Sequence, residues 1–313
     1  FLTLRLHYKG VHRMMCPFFV GTSRAAGLSR HMRIFLLTTL VMIAFAANSV
    51  LTRLAIVGGH IDPAGFAIVR VVSGAVALWL LLMVRGGRFR VPGKRHMLGA
   101  ATLAIYIIGF SLAYSTLDAG LGALILFGVV QIAMFAHGVL VGAVPSPRKF
   151  IGAAIAFSGL VVVLWPGSGG RLDPVGAALM IAAGMGWAAY TIIGKKSDDS
   201  LADTAGNFLV CIPLLASLFW VQDTFITPIG LALAVICGAV TSGFGYALWY
   251  RVLPKLAQST AAVVQLSVPV IAILAGTLLL AEPLGVKIIV ATVLVLGGIG
   301  LAVSARSPQA GRS

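Results

Sequence analysis

Acidic residues are scarce in this chain: Asp and Glu together number 8 in 313 residues, against 23 Lys and Arg. General acid–base chemistry needs titratable groups positioned at the reacting atoms, and the long apolar runs hold almost none. An HExxH zinc pair, an acid cluster for Mg²⁺, paired intramembrane aspartates and a GxxxxGK[ST] phosphate loop are all missing. The three cysteines, Cys16, Cys211 and Cys237, have neither a disulfide framework nor metal-ligand spacing. The chain is therefore read as a non-enzyme without metal or cofactor. Charge of either sign is sparse at 10%, while hydrophobic residues reach 59% and mean hydropathy is +1.04, which excludes a soluble globular domain. Strand-like alternation of polar and apolar residues is lacking too, and an outer-membrane barrel requires it.

What the chain does have is apolar runs. They cover 34–54, 64–84, 97–116, 121–143, 150–166, 174–194, 204–222, 228–249, 257–280 and 285–305, each near the length of about 20 residues that a helix needs to span a bilayer. Arg171 and Lys287 fall in outer gaps, Arg53 and Arg70 lie in or at the ends of spans, and every other basic residue falls on the side that holds the N-terminus. Basic loops stay cytoplasmic, so this pattern predicts cytoplasmic N- and C-termini and a multi-pass protein of the bacterial inner membrane. It also absorbs the net charge of +15, which leaves no nucleic-acid partner to account for it; the lipid bilayer is the expected surroundings.

Residues 1–33 carry basic residues but no acid and no apolar signal-peptide core. They are expected to be a disordered tail or a start-site extension, since "HMRIFLLTTL" reads as a start at Met32. Residues 306–313 form the expected C-terminal tail.

The chain also repeats itself. "FAANSVLTRLA" from Phe45 aligns with "WAAYTIIGKKS" from Trp187, pairing Asn48 with Tyr190 and Arg53 with Lys195; "YSTLDAGLGA" from Tyr114 parallels "YRVLPKLAQS" from Tyr250. Five spans per copy (34–166 and 174–305) place the second copy upside down relative to the first. The expected fold is all-α, with ten transmembrane helices as two inverted five-helix repeats. Such repeats can exchange two packings around one site, which is the logic of a secondary transporter.

These segments, together with "DPAGFAIVR" opening the second helix and "ALWYRVLPKLAQSTAAVVQLSVPVIAILAGTLLLAEPLG" across the eighth to tenth, resemble the EamA-type members of the drug/metabolite transporter superfamily over about 34–305. The resemblance implies ATP-independent export or exchange of small organic metabolites, such as amino acids, through a central cavity. Two departures stand out: Glu282 in "AEPLG" has Val144 as its counterpart, and Pro269 has Phe135.

Arg70 lies two turns into the second helix, where an Arg costs about 2.5–3.5 kcal/mol unless it meets a partner or water. It is a candidate for binding a substrate carboxylate or phosphate; an ion pair with Asp62 or Asp118 is the alternative. Asn48 reaches the same depth. Gln131 and Gln265 fall near mid-membrane in repeat-related helices and would line the cavity or bond between helices. Trp187 and Tyr190 suit an organic ligand. Tyr114 and Tyr250 end their helices on opposite sides and fit gates or interfacial aromatic belts, with the belt favoured. His137 is a candidate proton carrier or an interfacial histidine, Glu282 a turn residue or gate, and Pro269 a kink and hinge. Small residues at Gly152, Ala156, Gly159, Gly297, Gly298 and Gly300 allow a homodimer face or, preferably, close packing on the fourth and ninth helices. A flippase for lipid-linked sugars, which needs a cavity open sideways, and a non-transporting receptor or assembly factor stay open.

The topology is checked by alkaline phosphatase fusions. Those after His60, Leu117 and Arg171 should be active, and those after Arg90, Pro145 and Lys196 inactive.

Overall fold

The computed structural model describes residues 30–87, 93–142, 146–165, 173–194, 197, 199–216, 225–256, 264–265 and 267–304. Residues 1–29, Cys16 among them, the C-terminal tail and the Lys195–Lys196 pair lie outside the described residues, while Arg30 to Arg33 of the expected N-terminal tail open α1. Among those described, the elements are helices: α1 (Arg30–Val57), α2 (Pro63–Val84), α3 (Lys94–Ala113), α4 (Ala119–Leu140), α5 (Pro147–Leu164), α6 (Pro174–Gly194), α7 (Ser200–Ala216), α8 (Pro228–Val252), α9 (Ser267–Leu280) and α10 (Val286–Ser304). Extended pairing is confined to one isolated bridge, Ile61 with Ile226. Seven helices, α1 to α6 and α8, are long and apolar enough to cross a membrane; the apolar parts of α7, α9 and α10 are shorter.

Three helices start with the same device. Asp62-Pro63-Ala64-Gly65, Asp173-Pro174-Val175-Gly176 and Thr227-Pro228-Ile229-Gly230 open α2, α6 and α8. In each, the first side chain accepts from the glycine amide (2.8, 2.7 and 3.1 Å), satisfying an orphan N–H of the first turn. Proline sits at the position that loses no bond. At Gly65 an added Cβ would stand 2.7 Å from Asp62 Oδ2, so the cap itself asks for glycine there.

Large apolar side chains line the outside of the bundle, among them Phe35, Trp79, Val84, Leu140, Phe150 and Val293. A helix that is apolar on its outer face as well as its inner one fits a hydrocarbon solvent. Inside, α1 packs on α8 and α9, α6 on α3 and α4, α2 on α7 and α8, α3 on α7, α4 on α9, and α5 on α10. The last pair corrects the expected packing of the small-residue stripes. Gly152 and Gly298 face each other's helix so closely that an added Cβ at either would strike backbone, and Gly159 meets Val295. These stripes thus join α5 to α10 rather than to α4 and α9, while Gly297 and Gly300 face open space. The pair leans on α4, leaving a crevice of about 490 Å³ between α4, α5 and α6, lined by Val129, Ile132, Phe157, Leu160, Trp165 and Met185 among others.

The eighth helix is not the regular span its apolar run suggests. Residues Cys237–Phe244 are π-helical between two α-helical parts. The widened turn presents Gly238 to α2, where the Arg70 carbonyl and Ser73 Oγ fill the space of a Cβ. Pro269 is buried near the described start of α9, and Val264 and Gln265 just ahead of it are helical too.

Gly238→Ala should destabilise the protein by about 1–3 kcal/mol through overpacking, read as a lower melting temperature in detergent. Gly297→Ala, in open space, should leave it unchanged.

Candidate functional site

The π-helical segment and α2 together build a polar centre in an apolar bundle. Arg70 is fully buried. Its Nε donates to Ser242 Oγ (3.0 Å) and its Nη2 to Tyr106 OH (2.9 Å). The guanidinium carbon lies 5.3 Å from the Tyr106 ring centre and 5.0 Å from that of Phe110, within cation–π range. Nη1 has no hydrogen-bond partner among the described residues. The carboxylates once available to it are engaged elsewhere: Asp62 caps α2 and accepts from the Phe225 amide (2.9 Å), and Asp118 pairs with Arg53.

Asn48, buried on α1, shares this centre through Ser242. Its Oδ1 accepts from Thr241 Oγ1 (2.6 Å), Ser242 Oγ (3.1 Å) and Cys237 Sγ (3.2 Å). All three donors come from the π-helical segment, whose extra residue per turn gathers them on one side.

Aromatic rings surround the polar centre. Trp187 contacts Tyr106 and Tyr246 (centroids 5.0 Å in each case), Tyr190 (5.7 Å) and Phe45 (6.2 Å). Along α3, Tyr106, Phe110 and Tyr114 follow at four-residue spacing, one helical face, and their rings touch in sequence. Tyr114 is fully buried and its hydroxyl donates to the Ala119 carbonyl (3.3 Å). This overturns its assignment to an exposed interfacial belt.

Two sets of ionic contacts close the ends. On one side Arg53 from α1 donates to the Tyr114 carbonyl (2.9 Å) and pairs with Asp118 (3.3 Å) and Glu282 (3.7 Å). Glu282 reaches from the α9–α10 turn to the N-terminus of α4 and accepts from the Ala119 (2.7 Å) and Gly120 (3.5 Å) amides, a favourable place for a carboxylate. The turn holds Ala281 at φ 54°, a left-handed conformation that costs a non-glycine residue about 1–3 kcal/mol. At the opposite end Arg85 pairs with Asp199 (3.0 Å), His96 faces Asp203 (3.3 Å), and Asn207 donates to Tyr190 OH (3.5 Å). Tyr250 OH lies against Gly194.

Of the residues proposed from sequence, the structure brings together Asn48, Arg70, Trp187 and Tyr190, with Tyr114 and Glu282 at one end and Tyr250 at the other. Gln131 is half-buried on α4, outside the contacts of Arg70. Gln265 is half-buried beside segments outside the described residues. His137 is exposed in the last turn of α4, remote from the centre. Sequence reasoning missed Arg53, Tyr106, Ser242 and Tyr246. The run "CGAVTSGFGYALWY" held a signal in its closely spaced small, hydroxyl and aromatic residues.

Comparison with known proteins finds relatives over most of the chain. The model of the EamA-like transporter family matches residues 174–304. An uncharacterized protein of Pseudomonas aeruginosa is 43% identical over 283 residues, covering 90% of this chain and 98% of its own. An uncharacterized transporter of Archaeoglobus fulgidus is 28% identical, covering 74% of this chain and 86% of its own. The threonine/homoserine exporter RhtA of Salmonella typhimurium is 27% identical over 64% of this chain and 68% of its own. One crystal structure, 17% identical, superposes with a TM-score of 0.64 over 88% of this chain and 97% of its own, a likeness of fold.

Glu282 lies between helices, and burial raises its carboxyl above the usual 4.5; Asp118 adds to the rise, while the Ala119 and Gly120 amides and Arg53 oppose it. The clasped state therefore holds a proton more tightly than a state in which Glu282 meets water. Acid favours the clasp, and that preference is lost as pH rises through the raised value. A cysteine at buried Ser49, beside Tyr114, should label more slowly from outside as pH falls toward 4.5, relative to a cysteine at exposed Gly59. Glu282→Gln should remove the difference.

Proposed function

Because the chain belongs to the EamA-like transporter family, we propose that it is a secondary transporter that exports small organic metabolites across the bacterial inner membrane by alternating access. The observation that carries this reading is the buried centre of Asn48, Arg70, Trp187 and Tyr190 held between two separate clasps. Releasing Arg53 from Asp118 and Glu282 opens one end; releasing the Arg85–Asp199 and His96–Asp203 contacts opens the other. No ATP-binding loop is needed, since rocking of two halves exchanges the open end.

Ten membrane helices as two inverted five-helix repeats, with both termini cytoplasmic, complete the proposal. The helix contacts support it. Replacing each helix of the first half by its counterpart in the second turns α1–α8 into α6–α3, α2–α8 into α7–α3, and α4–α6 into α9–α1, and all six pairs are in contact. The α2–α7, α4–α9 and α5–α10 pairs map onto themselves. Phe45 and Trp187, aligned in the two copies, meet across the centre.

Amino acids or related compounds are the proposed cargo, suggested by the likeness to a protein named for threonine and homoserine export. A flippase is the second reading, favoured by the sideways crevice between α4, α5 and α6. That crevice is lined by apolar side chains and offers a sugar headgroup no hydrogen-bond partners, so export through the Arg70 centre ranks first.

Untargeted mass spectrometry of medium and cells tests the proposal. A compound should reach the medium only from cells with the intact protein, and Arg70→Ala should abolish its release while membrane insertion and melting persist. Release that is unchanged in this variant would remove Arg70 from the transport site.

A further inference from the structure

We infer that the centre selects a net-negative organic acid: its carboxylate takes the free Nη1 edge of Arg70, and an apolar or aromatic body lies against the Trp187 and Tyr246 rings. This rests on the transporter reading but departs from its amino-acid cargo, keeping only compounds of net negative charge. The first observation is the donor count. A guanidinium carries five N–H groups; Nε and Nη2 are engaged by Ser242 and Tyr106, and Nη1 is buried with no partner among the described residues. The Tyr246 hydroxyl, on a ring that stacks with Trp187, is also buried, with the Tyr106 hydroxyl as its neighbour. A carboxylate oxygen satisfies an Arg edge with a short, charge-assisted bond and accepts from a phenol as well.

The second observation is where the acids are. The described acids lie at helix ends or between helices: Asp62 and Asp173 in caps, Asp118 and Glu282 in one clasp, and Asp199 and Asp203 in the other; Asp198 and Asp223 lie outside the described residues. Among the described residues, no carboxylate stands at the depth of Arg70 to receive an ammonium. Asn48 Oδ1 already accepts from three donors, and the Tyr106 and Phe110 faces carry Arg70 itself. A cation, or the ammonium end of a zwitterion, would meet an unscreened positive charge in a medium of low dielectric. An organic acid meets only complementary groups.

The protein in lipid nanodiscs is titrated with 3-phenylpropionate, 3-phenylpropylamine and phenylalanine, which share one aromatic body. Calorimetry and the shift in melting temperature report binding. The acid should bind at least tenfold more tightly than either of the others. Arg70→Gln and, should that variant fail to fold, Arg70→Lys, which loses the planar fork of donors, should weaken acid binding by tenfold or more. Equal or tighter binding of the amine or of phenylalanine overturns the inference. So does absence of acid binding, or acid binding that is unchanged in a folded Arg70→Gln protein. Proteoliposomes loaded with all three compounds separate the two levels of the argument. Selective efflux of the acid supports both. Efflux of the amine or phenylalanine instead keeps the transporter and removes the anion site. If none leaves, the transport reading fails, and binding alone decides the anion site.

Discussion

Arg70 is a full charge in the interior of a membrane protein, without a carboxylate beside it among the described residues, and the elements around it meet that constraint. Hydrocarbon offers no hydrogen bonds, so each N–H that lacks a partner costs about 1–3 kcal/mol. The π-helical turn of α8 supplies Ser242, α3 supplies the Tyr106 hydroxyl and two ring faces, and the contacts are close because Gly238 lets α2 and α8 approach. π-helical segments are rare and occur mostly at functional sites. Here the segment also delivers three donors to Asn48, tying α1 to the same centre.

The ends of the bundle use different physics. Ion pairs there are near water, where each contributes little singly, so they suit contacts that form and break within a transport cycle. The clasp around Arg53 is the more elaborate, because Glu282 adds a helix N-terminus to the ion pair and sits on a left-handed turn at Ala281. The counterpart of Glu282 in the first copy is Val144, which cannot make such a clasp. In the two-repeat reading proposed above the halves thus carry unlike locks, and the opening of one end need not follow the same steps as the other. The α5–α10 pair departs from symmetry as well, leaning on α4 rather than α9.

Much of the fold was legible in the sequence because bilayer thickness dictates run length and loop charge dictates side. The apolar runs anticipated the described helices to within a few residues at most ends; α1 begins earlier, at Arg30, while the residues after Ala216 of α7 and most of those before Ser267 of α9 lie outside the described ones. Arg70 and Asn48 could be singled out because a polar side chain in a span is costly and therefore needs a reason. Trp187 and Tyr190 were found through the repeat, which aligned them with Phe45 and Asn48. Residues whose chemistry is common in any span, such as Tyr106, Ser242 and Tyr246, gave no comparable signal.

By itself, then, the sequence determined the helical, membrane-spanning class, the alternation of basic loops and the presence of one misplaced charge, because each depends on composition along the chain. Tertiary structure decided which partners that charge has, since contacts between α2, α3 and α8 join residues 36 and 172 positions apart. It also decided that Arg53 rather than Arg70 takes Asp118, that Tyr114 is buried, and that His137 faces outward. Those outcomes follow from the angular position of a residue on its helix and from an added residue in one turn of α8. A nearly uniform apolar sequence leaves both unmarked, because its periodicity is too weak to tell the inward face from the one that meets lipid.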